Sequence, residues 1–140
     1  VQPSTSEQYK LVQITTSSPG EVLVALFDGL FRFLLVAKHT LPQPGKRAQA
    51  GEALSRAHAI VSELYAGLDR DHYPDLVDNL TRIYEFCLSK ITHANLKNDV
   101  ASIDDVMRIL TPIREGFTHA VKNISPQELS ELKEAGNAKR

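Results

Sequence analysis

The chain has 140 residues, 42% of them hydrophobic and 24% charged, the balance of an ordinary globular protein rather than a disordered one. That length suits one domain able to bury roughly 70% of its unfolded surface. A formal net charge of −1 leaves no general electrostatic case for nucleic acid or an anionic membrane, and the single cysteine, Cys87, excludes an internal disulfide and fits a reducing cytoplasm.

Near Val1 no basic start leads into an apolar stretch with a small-residue cleavage site, so no secretory signal is expected there and the expected location is cytoplasmic. Residues 1–17 read as an extended arm, 18–121 as a helical body and 122–140 as an extension. Ser18-Pro19-Gly20-Glu21 offers an N-cap serine, a proline at the first helical position and a glutamate at the third, which together open a first helix. From Val22 to Ala37 only Asp28, Gly29 and Arg32 interrupt its hydrophobic residues. The stretch is shorter than the roughly 20 apolar residues a membrane span needs, and it holds two charges, so no insertion is expected. Asp28 and Arg32, one turn apart, are expected to pair. Because the apolar residues cover well over half the wheel, additional cover from the N-terminal segment, the last helix or a partner is expected for Phe31 and Leu35 on one side and Val22, Phe33 and Val36 on the other. An arm carrying Tyr9, Leu11, Val12 and Ile14 is one such cover.

The second helix, 47–67, places Ala50, Ala53, Leu54, Ala57, Ile60, Val61 and Leu64 at spacings of three and four, and Gly67 marks its end. Pro74 opens a third, with a face of Leu76, Leu80, Ile83, Tyr84, Cys87, Ile91 and Ala94. After the turn "NLKND" a fourth carries Ile103, Val106, Met107, Leu110 and Phe117, capped by Asp99 or Ser102. Pro112 inside it predicts a kink or a restart. Ser125-Pro126-Gln127-Glu128 opens a short fifth helix to about Ala135. No run of residues alternates as a strand does, and the links "TLPQPGK" and "DRDHY" are short. The expected fold is all-α, an antiparallel up-and-down four-helix bundle with an N-terminal arm and a short C-terminal helix.

Five histidines invite a metal or phosphotransfer reading. Di-iron bundles place a glutamate three residues before each histidine ligand, but Val36, Ser55, Asp69, Lys90 and Gly116 hold those positions here. No H-E-x-x-H occurs, and His58 and His93 lack the following basic residue and glycine that would seat a phosphate. Cys87 lies on an apolar stripe, which predicts a buried, inert thiol. No catalytic residue, metal ligand or cofactor is assigned, and no enzymatic activity is expected. Excess apolar surface is what remains, with Phe86 and Ile109 also off the main faces of their helices, and it points to a domain made to be wrapped by a partner.

Tyr9, Ser18-Pro19, Phe27-Asp28-Gly29, Gly67-Leu68-Asp69 and Ala94-Asn95-Leu96-Lys97-Asn98-Asp99 occur in the order seen in the flagellin-specific export chaperones of bacterial flagella, and the chain resembles that family from about Tyr9 to Val121. The resemblance implies a cytoplasmic bundle that binds the disordered C-terminal segment of flagellin, prevents its premature polymerisation and hands it to the flagellar export apparatus. A second flagellar chaperone is a further partner the resemblance admits, and a helical adaptor or regulator of the same architecture is the alternative reading. The expected flagellin contacts are Tyr9, Ile14, Leu54, Ala57, Val61, Leu64, Tyr84, Leu88, Ile91 and Asn95, although the same spacing serves as bundle core. The 122–140 extension, Phe117 in place of a tryptophan, Pro112 and the sparse acidity of "TLPQPGK" depart from the family pattern.

Overall fold

Four helices, and no strand, form from residues 20–71 and 74–123, the residues that the computed structural model describes. They are α1 (Gly20–Thr40), α2 (Arg47–Ala66), α3 (Pro74–Lys97) and α4 (Val100–Asn123). Neighbours in sequence pack together and α4 returns beside α1, so the helices close into a ring of four. Cross-helix pairs set the directions. Lys38 meets Asp104 while Asp28 meets Arg114, and Arg47 meets Asn95 while Tyr65 meets Glu85. With Phe33 beside Arg56 and Gly29 beside Ile60 between α1 and α2, each pair of neighbours runs antiparallel. The arm over 1–17 and the short helix expected over 125–135 lie outside the described residues.

The core follows from the three-and-four spacing. Leu23, Phe27, Leu30 and Leu34 of α1 are fully buried with Leu54 and Val61 of α2, Tyr84 and Cys87 of α3, and Ile103, Val106 and Leu110 of α4. Burying such a side chain contributes about 1.5–3 kcal/mol before ordering costs. Phe27 and Phe117 meet with ring centroids 5.3 Å apart, so phenylalanine at the position that departs from the family pattern fills the core.

The ends of the helices are local chemistry. α2 stops at Ala66 without a left-handed residue: Gly67 has φ −81° and its N–H donates to the Glu63 carbonyl at 3.0 Å, while the Leu68 N–H donates to the Tyr65 carbonyl at 3.3 Å. Between α3 and α4, Asn98 takes the left-handed φ of 54°, which asparagine tolerates. Asp99 then caps α4, accepting from the Ala101 N–H at 3.1 Å and the Ser102 hydroxyl at 2.9 Å. Of the two residues expected there, Asp99 is the cap and Ser102 its partner.

Two expectations are corrected. Asp28 pairs with Arg114 of α4, at 2.6 Å to Nη2 and 3.1 Å to Nε, and not with Arg32. A neighbouring helix can present a guanidinium fork face-on, and here Arg114 also stacks over the Phe31 ring at 4.6 Å. Of the kink or restart expected at Pro112, the restart is absent, since one helix, α4, runs through it. The proline is exposed, so its ring meets no packed neighbour, and the Arg108 carbonyl that loses its helical donor belongs to an exposed residue.

Candidate binding groove

The surplus apolar surface of α1 is partly resolved by its neighbours. Phe31 is buried, Leu26 and Phe33 are half-buried against the core, and Arg56 lies over the Phe33 ring. α2 packs close to Gly29, where a Cβ would meet Ile60 at 3.6 Å, an ordinary van der Waals contact. Val22, Leu35 and Val36 stay exposed, as does Phe86 on α3, while Ile109 packs against the core. Leu96 is 75% exposed, the most exposed large hydrophobic residue among those described.

Leu96 borders a groove of about 230 Å³ between α2 and α3, lined by Leu54, Ser55 and His58 from one helix and Ile91, Thr92, Asn95 and Leu96 from the other. Its floor is apolar because Leu54 and Ile91 are core residues seen from their outer edge. Its end is polar: Arg47, the first residue of α2, donates from Nη2 to the Asn95 Oδ1 at 2.7 Å and to the Asn95 carbonyl oxygen. A second cleft, between α1 and α4, is lined by Val24, Asp28, Thr111, Arg114, Glu115, Thr118, His119 and Lys122, and the Asp28–Arg114 pair spans it.

Of the expected contacts, the structure brings Leu54, Ile91 and Asn95 together in the α2–α3 groove. Ala57, Val61, Leu64 and Tyr84 lie in the core and present no side chain to the surface. Leu88 is half-buried, packed against the core. Tyr9 and Ile14 lie outside the described residues. The physical reason is that regular spacing marks the face turned inward, and neighbouring helices claim that face first. Leu96, His58 and Arg47 were missed because they sit off the stripes. The available signal for Leu96 was a leucine in the last turn of a helix, beside the turn residues "KND" and off the apolar face.

The remaining chemistry is quiet. Burial pushes the Cys87 thiol up to about 12 and the Tyr84 phenol further above its ordinary range. Among the described residues the Tyr84 hydroxyl has no hydrogen-bond partner. The Asp99 carboxyl is held below its ordinary value, first by the Ser102 hydroxyl and then by the Ala101 N–H. Among the described residues no group of three His, Cys, Asp or Glu side chains is placed to hold a metal ion, and no helix is long and apolar enough to cross a membrane.

A helical bundle with an apolar groove and exposed leucine and valine side chains presents the kind of surface on which another chain lies. The family profile of the flagellar protein FliS matches residues 2–124. The flagellar secretion chaperone FliS of Salmonella typhimurium is 35% identical over 115 residues, covering 81% of this chain and 82% of the relative. That of Vibrio cholerae is 31% identical over 105 residues, covering 75% and 76%. The flagellar secretion chaperone FliS of Bacillus subtilis is similar at 24% identity over 115 residues. The chain belongs to the FliS family of flagellar secretion chaperones.

Proposed function

We propose that this chain binds the C-terminal segment of flagellin in the cytoplasm, keeps it from polymerising prematurely and delivers it to the flagellar export apparatus. The observation that carries the reading is the α2–α3 groove, with an apolar floor of Leu54 and Ile91 and Leu96 on its rim, on a bundle of this family. A segment disordered when free lays its apolar side chains along such a surface and forms short helices there. Ordering that segment consumes part of the interaction energy, which keeps the complex reversible, as an escort requires. Leu54, Ile91 and Asn95 are the contacts retained from the sequence, with Leu88 at the edge of the same face of α3. Ala57, Val61, Leu64 and Tyr84 act through the shape of the groove. Tyr9 and Ile14 belong to an arm that competes with flagellin or braces the bundle.

The test is calorimetric titration with a synthetic flagellin C-terminal peptide. Wild-type protein binds it, and Leu96→Asp binds more weakly while melting at an unchanged temperature, because that side chain supports nothing in the fold. Failure of the wild type to bind, or undiminished binding by Leu96→Asp, removes this groove as the site.

A further inference from the structure

We infer that Arg47 reads a carboxylate of the bound client at the α2 end of the groove and so fixes the direction in which the client lies. This rests on the flagellin-binding reading above and deepens it. The guanidinium is held before any partner arrives. It lies over Gly51, where a Cβ would meet its Nη1 at 2.9 Å, and Nη2 is bonded to both Asn95 acceptors. Both of those acceptors are neutral, so the fixed side chain keeps its full charge.

Charge complementarity names the occupant. Lys46, Arg47 and Lys97 share this end of the bundle, and none of them pairs with a carboxylate among the described residues. The acids at hand are engaged: Glu52 bonds Arg56, and Asp99 caps α4 and pairs with His93 at 3.4 Å. An exposed cationic end therefore adjoins an apolar floor with a leucine on its rim. A segment with an aliphatic side chain for Leu96 and Leu54 and a carboxylate one or two turns away satisfies both features. The Nη1 and Nε hydrogens are not used by Asn95, a charge-assisted bond to such a preorganised guanidinium is stronger than one to a mobile lysine, and a segment laid the other way would set its carboxylate against apolar floor.

The experiment titrates the full chain with a flagellin C-terminal peptide and with derivatives in which each Asp or Glu becomes Asn or Gln, and the terminal carboxylate becomes an amide. Arg47→Ala is expected to weaken binding of the parent peptide about tenfold with an unchanged melting temperature. That loss should vanish against one derivative, which identifies the carboxylate as a side chain or the terminus. Arg47→Lys retains charge without the fixed guanidinium and loses affinity to a smaller degree. Gly51→Ala favours the helix but takes the seat of the guanidinium, and it too loses affinity. Undiminished binding by Arg47→Ala, or the same loss against every derivative, overturns the inference and leaves the groove standing. A wild type that binds no peptide overturns the flagellin reading, and this inference with it.

Discussion

Tyr84 shows at the scale of one residue how the core sets limits on chemistry. Its ring fills the centre of the bundle, yet its buried hydroxyl has no partner among the described residues, a state seldom found in native cores. Tyr84→Phe removes the desolvated oxygen and keeps the ring, so stability should hold or rise by up to about 1 kcal/mol in urea denaturation. A loss beyond that would mean that the hydroxyl is bonded in solution. Cys87, one turn along, is fully buried and its thiol is pushed up to about 12. Thiolate is the reactive form, so a disulfide reagent should label Cys87 at the rate of unfolding and not faster. Fast labelling of native protein would contradict its position. Asp99 is the opposite case, a carboxylate held below its ordinary value of 3.8 by the bonds that cap α4. A depressed carboxylate contributes stability in full above the unfolded value and loses it as the pH falls through the folded one. Asp99→Ala should therefore lower the melting temperature at pH 7, and the difference from wild type should shrink below about pH 4 and vanish in stronger acid.

At the scale of the helix, α1 separates two kinds of apolar residue that look alike in the sequence. Phe27 is fully buried against Phe117, and Leu35 is 52% exposed. Phe27→Ala should cost about 3–5 kcal/mol in denaturant melts, and Leu35→Ala within about 0.5 kcal/mol. Equal effects would show that a further segment covers Leu35 in solution. The helices themselves were legible: Pro74 does open α3, Gly67 does follow α2, and the spacing of Leu54, Val61, Ile103 and Leu110 does mark buried faces. What was not legible needed the third dimension. Asp28 sees Arg32 in sequence and Arg114 in the fold, 86 residues away. The groove was half-read for a related reason. Its floor uses stripe residues that periodicity finds, Leu54 and Ile91, while its rim and end use Leu96 and Arg47, which periodicity passes over. Spacing tells which side faces inward and says nothing about where two helices part.

At the scale of the whole molecule, the division between apolar core and charged surface decides how the protein responds to salt. The ion pairs that tie one helix to another, Lys38–Asp104 and Asp28–Arg114 across α1 and α4 and Lys90–Asp105 across α3 and α4, are all at least partly exposed. The pairs Glu52–Arg56 and Asp105–Arg108 lie within single helices. Exposed pairs of this kind contribute about 0–1 kcal/mol each, and a net charge of −1 gives salt no large repulsion to screen. The inter-helix pairs fix register, while the buried leucine, phenylalanine and tyrosine side chains supply the cohesion. Raising sodium chloride from about 0.05 to 0.5 M should therefore shift the melting temperature by less than about 2 °C. Affinity for an acidic client segment should fall over the same range, since the Arg47 end meets its carboxylate in water. Melting curves and titrations on one preparation read both responses. A melting temperature that dropped by more than about 5 °C would place the stability in the surface pairs and not in the core.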